Sequence, residues 1–84
     1  MGPAAWAAVG RALAVAVGRT ALFSDNGAIA LIAREIRNSI LKNDFKVAEA
    51  LLNDLYCRHR KVFEEFTRKY KDDLPEDFLD QFGL

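Results

Sequence analysis

Cys57 and His59 are the residues of this chain best suited to nucleophilic, acid–base or metal chemistry, and the sequence contains no other cysteine or histidine. They stand two positions apart in LYCRHRKVF (55–63), a stretch whose apolar spacing reads as helix. On a helix, positions i and i+2 point about 200° apart. A nucleophile and its base must converge, and so must two ligands of one metal ion, so this pair can serve neither purpose. Zinc would need two further ligands from carboxylates, and no spacing supplies them. His59 falls between Leu55 and Val62 on an apolar stripe, the place of a packed histidine rather than a working one. The acids Asp72, Asp73, Glu76, Asp77 and Asp80 are dense, but they lack the alternating loop with central glycine that holds calcium. A glycine-rich phosphate loop is absent too. The expectation is a chain with no catalytic residues, no cofactor and no metal site.

The charges lead to the same place. The 84 residues carry 12 basic and 12 acidic side chains, for a net charge of zero. Residues 1–42 hold five basic and two acidic groups, a surplus of +3, and residues 43–84 hold seven and ten, a surplus of −3. Asp54, Arg58, Lys61, Glu65, Arg68 and Asp72 follow one helical face with mixed signs, which describes a solvated face rather than a strip for phosphates. Arg58–Lys61 (RHRK) is too short a basic run to alter this, so nucleic acid is not an expected partner. A single cysteine excludes an internal disulfide.

The elements that carry these residues are helices. SDNGAIALIAREIRNSILKND (24–44) predicts one, with Ser24 or Asp25 as its cap and Ile29, Ile32, Ala33, Ile36 and Ile40 as its apolar face. Asn43 or Asp44 then caps a second helix, predicted to run unbroken to about Lys71. Ala48, Leu51, Leu52, Leu55, Val62, Phe63, Phe66 and Tyr70 recur along it at spacings of three or four. So short a link forces an antiparallel hairpin. ILKNDFKVAEALLNDL (40–55) resembles the turn and second helix of a tetratricopeptide or pentatricopeptide unit, which implies a helical hairpin; a solenoid needs about three such units, and one is present. LYCRHRKVF is similar in part to the Leu-Tyr-Arg proteins of mitochondria, but Cys57 stands where their arginine would be and the segment is far from the start.

The opening stretch, MGPAAWAAVGRALAVAVGRTALFS, has no acid before Asp25 and only Arg11 and Arg19 as charges. Trp6, Val9, Leu13 and Val17 form an apolar stripe, and the two arginines lie about 80° apart on a helix. An acid-free, Ala- and Arg-rich amphipathic helix is the pattern of a mitochondrial transit peptide, drawn inward by the membrane potential acting on its positive charge. A transmembrane span is disfavoured by Arg11 in the middle of the candidate, and a secretory signal by the lack of positive charge before the apolar run. Residues 1–23 are therefore expected to be a transit peptide, cleaved or kept, or else a first structural helix; residues 24–84 form the small helical domain.

The tail DDLPEDFLDQFGL predicts a short helix, with Asp73 and Glu76 as a capping box, Pro75 in its first turn and Gly83 as its stop. Leu74, Phe78, Leu79 and Phe82 make its apolar face, which is expected to fold back on its own chain, the alternative being that it docks in a partner's groove. A second helix of about 27 residues, roughly 40 Å, would overhang a first of about 18 and leave Phe63, Phe66 and Tyr70 uncovered. Phe63, Phe66, Tyr70, Phe78, Leu79 and Phe82 are thus the expected partner-binding residues, and Arg11 and Arg19 the targeting ones. The whole chain reads as an all-α antiparallel hairpin with a long second helix, a short C-terminal helix and an N-terminal helical segment. The expected function is non-enzymatic: an assembly factor or accessory subunit that binds protein in a larger mitochondrial complex, the respiratory chain or the ribosome. Its expected location is the matrix or the matrix face of the inner membrane, with membrane association only through the N-terminal segment. The alternatives are a cytosolic or nuclear three-helix adaptor that keeps its first helix, and a small RNA-associated protein.

Overall fold

The computed structural model describes residues 1–19 and 27–84. Among these are five α-helices and one 3₁₀ turn, with no strand. Helix α1 spans Pro3–Arg19. Pro3 suits its first position because an amide there would have no helical partner, and the alanines that follow are the best helix formers. Helix α2 spans Gly27–Leu41 and buries Ile29, Ala33, Ile36 and Ile40, four of the five residues of its predicted face. Ile32, the fifth, is half-buried against the same core. The expected caps Ser24 and Asp25 lie outside the described residues, as does the boundary drawn between residues 23 and 24.

The link from α2 to α3 (Phe45–Arg58) is set by two residues. Asn43 has φ 59°, a left-handed conformation that asparagine tolerates better than most residues. Its amide donates to the Ile40 carbonyl at 3.0 Å, and that of Asp44 donates to the Ser39 carbonyl at 2.8 Å. These paired bonds close α2 in a Schellman arrangement. The Asp44 carboxylate then accepts from the Val47 amide at 3.4 Å and caps α3. One residue ends a helix and its neighbour starts the next, so the link between α2 and α3 is tight.

The second helix is not continuous. Helix α3 stops at Arg58, His59 turns aside with φ −131° and ψ 54°, and α4 begins anew at Arg60–Lys69. A continuous helix would offer the Arg60 amide to the Tyr56 carbonyl; here Arg60 Nε donates to it at 2.9 Å, while the guanidinium lies 3.7 Å from the centre of the Tyr56 ring. Each backbone bond given up at the break costs about 0.5–1.5 kcal/mol, and the arginine recovers part of one of them. The gain is burial. After the bend, Phe63 and Phe66 are fully buried, each side chain contributing about 1.5–3 kcal/mol. An unbroken helix of roughly 40 Å would not fit a molecule whose longest extent is 31 Å.

A 3₁₀ turn at Lys71–Asp73 and extended Leu74 lead to α5 (Glu76–Gln81). The predicted capping box does not form: Asp73 belongs to the 3₁₀ turn, and Pro75 takes the N-cap position, where no side chain accepts a hydrogen bond. Gly83 does end the helix. Its φ of 71° places it in the left-handed region, and the Leu84 amide donates to Leu79 at 2.9 Å.

One core joins all of this. It includes Trp6, Val9, Ala12, Leu13 and Ala16 of α1 beside Ile36, Leu52, Leu55, Phe63 and Phe78. Helix α1 packs along α2, and a Cβ on Gly10 would make an ordinary contact with Ile40 Cδ1, at 3.5 Å. Its Trp6 stacks on Phe45 at the start of α3, with centroids 5.8 Å apart and planes 2° from parallel.

Candidate functional site

The six residues expected to bind a partner are brought together, but on the inside. Phe63 of α4 meets Phe82 at 4.7 Å between ring centroids, Tyr56 at 5.2 Å and Phe78 at 6.1 Å. Phe78 and Phe82 are 5.3 Å apart, and Phe66 lies 5.5 Å from Tyr70. Phe63, Phe66, Phe78 and Leu79 are buried, whereas Tyr70 and Phe82 are half-buried against the core. The two aromatic sets cover one another, because the bend at His59 turns α4 toward α5. The exposure from which a partner-binding role was expected is absent for the buried four, and the uncovered overhang does not exist.

The residues first considered for chemistry stay apart from any site. Cys57 is exposed and His59 half-buried at the bend. Among the described residues, no three of His, Cys, Asp and Glu are placed to hold a metal ion. Every buried side-chain nitrogen or oxygen among them has a hydrogen-bond partner. No described helix is long and apolar enough to cross a membrane.

A groove of about 440 Å³ runs between α1 and α2. Ala7, Gly10 and Ala14 of α1 and Ile40 of α2 form its apolar floor, and Pro3 and Phe45 also line it. Arg11 on α1 and Arg37 on α2 border it, both exposed. Leu41 also lines it and is 70% exposed, the most exposed large apolar side chain among the described residues. Arg37 and Ala14 continue into a second hollow with Arg34 and Gly18. On its other side Arg11 borders a hollow containing Tyr70 and Asp73. The only ion pair among the described residues is Arg58–Asp54, at 2.9 Å, so neither Arg11 nor Arg37 is neutralised within the described chain.

No protein-family model matches this chain, and neither a curated protein nor a solved structure does.

The groove depends on residues that sequence reasoning assigned elsewhere. Arg11 is a targeting charge in the sequence reading, and Arg37 and Leu41 are absent from the predicted apolar face of their helix. The signal was present in one form: small residues at 7, 10 and 14, spaced by three and four, mark a face of α1 where another helix comes near. What could not be read was that α2 fills only part of that face.

Proposed function

We propose that this chain is a non-enzymatic helical protein that works by binding another protein, as an assembly factor or accessory subunit, through the α1–α2 groove. The observation that carries this reading is the groove itself, with Leu41 exposed on it and at its borders two arginines that have no ion pair among the described residues. A solvent-exposed leucine is ordinary alone; beside an apolar trough it is the kind of feature that a partner covers. The proposed setting is mitochondrial, supported by the acid-free helix with Arg11 and Arg19.

A second reading, the cytosolic or nuclear adaptor that keeps its first helix, is favoured by the burial of Trp6, Val9, Leu13 and Ala16. Cleavage near residue 24 would strip these from the core and bare the apolar face of α2. We therefore propose that α1 stays in the working protein in either setting.

A photocrosslinking amino acid placed at position 41 tests the binding role, with position 53 on the exposed side of α3 as the control. A discrete crosslinked protein at 41 and not at 53 supports it; identical patterns at the two positions contradict it. Mass determination of the N-terminus of the native protein, with imaging of a 1–24 fusion, decides the setting. A mitochondrial fusion with an N-terminus at Met1 or Gly2 fits a retained address.

A further inference from the structure

We infer that the occupant of the α1–α2 groove is an acidic amphipathic helix of a partner protein, with an apolar ridge in the trough and carboxylates facing Arg11 and Arg37. This rests on the binding role proposed above and specifies its chemistry. From Pro3 to Ala14 the floor extends roughly 17 Å at 1.5 Å per residue, the length of about three helical turns. A trough of about 440 Å³ along that length takes a row of side chains rather than a whole helix, which is about 10 Å across. A helix presents such a row at positions i, i+3 or i+4, and i+7. The small floor residues Ala7, Gly10 and Ala14 leave the room, and Leu41 adds to the apolar lining.

Charge selects the sign of the partner. Arg11 and Arg37 stand on different helices, one on each wall, and neither is ion-paired within the described chain. A helix with acids on both flanks of its ridge answers both walls, whereas a single anionic head group answers one. The first half of the chain, to which both arginines belong, carries the +3 surplus. A flat anionic bilayer fits less well because the floor is concave and out of its reach. A second copy fits less well too. The acid-rich helix of this chain, α5, keeps Phe78 and Leu79 in its own core, so it has no free ridge to offer.

The test uses the full chain and two synthetic helical peptides of about four turns. Both have leucines at i, i+3 and i+7; one is flanked by glutamates and the other by lysines. Binding is followed by anisotropy of a label on the peptide, for the wild type, for Arg11→Glu with Arg37→Glu, and for Ala14→Leu, which fills the trough without changing charge. The exposed arginines make the double variant safe for folding, checked by circular dichroism. The glutamate peptide should bind about tenfold or more tightly than the lysine peptide, and the double variant should reverse that preference. Ala14→Leu should weaken both. Equal binding of the two peptides, a preference unchanged by charge reversal, or no binding by either would overturn the inference. So would loss, in the double variant, of adhesion to phosphatidylglycerol vesicles or of self-association, with no effect on peptide. If a crosslinked partner persists at position 41 while the peptides fail, the chemistry is wrong and the binding role stands; if both are blank, both fall.

Discussion

The aromatic corner of α4 and α5 and the alanine-rich side of α1 and α2 make opposite use of their compositions. Four phenylalanines in the second half of the chain look like binding anchors, and they bury one another. Alanines, glycines and two arginines at the start look like an address, yet Trp6, Val9, Ala12, Leu13 and Ala16 of that helix join the core, while Ala7, Gly10 and Ala14 line a groove. The difference is one of size. Large rings brought together by a bend bury most of one another's surface, and what stays open there is a hollow of about 330 Å³ beside Leu79 and Leu84. Small residues leave a trough wherever neither helix has a side chain to fill it.

The strongest way to break this comparison is to remove α1. A chain lacking residues 1–19 loses Trp6, Val9, Ala12, Leu13 and Ala16 from the core and bares Ile29, Ala33, Ile36 and Ile40. It should lose cooperative thermal unfolding and aggregate at concentrations at which the full chain stays monomeric, as seen by calorimetry and light scattering. A shortened chain that melts as sharply as the full one would mean that α1 is an appendage. Next in size is Phe63→Ala. The ring is fully buried and contacts Tyr56, Phe78 and Phe82, so the cost should be about 3–5 kcal/mol by urea unfolding. Lys61, exposed on the same helix, is the control, and Lys61→Ala should change stability by less than about 0.5 kcal/mol. If the two variants unfold alike, the faces of α4 are misassigned.

A smaller effect sharpens the account of the hairpin. Asn43→Ala should destabilise by about 1 kcal/mol, because alanine pays more than asparagine for φ 59°, and Asn43→Gly should be neutral or stabilising. Equal loss in both variants would shift the role of Asn43 from its backbone to its side chain.

Much of this fold was legible because helices announce themselves locally. The spacing of Ile29, Ala33, Ile36 and Ile40 marked the buried face of α2, and Asn43-Asp44 and Gly83 marked turns through conformations that few residues accept. The bend at His59 was not legible. No glycine or proline stands there, and every residue from 55 to 63 is compatible with a continuous helix. Contacts of Phe63 with Phe78 and Phe82, 15 and 19 positions along the chain, favour the break, and local propensity carries no record of them. The capping box failed for a related reason: seating Leu74 in the core draws the chain extended just where Asp73 would have capped. The groove was hidden because it is defined by side chains too short to fill it.

Trp6 offers the most direct check on the claim that α1 belongs to the fold. It is the single tryptophan, only 4% exposed and stacked on Phe45. The account predicts blue-shifted emission, weak quenching by acrylamide, and a change on urea unfolding that coincides with the loss of helical circular dichroism. Emission at the wavelength of a solvated indole, readily quenched while helicity is intact, would contradict it.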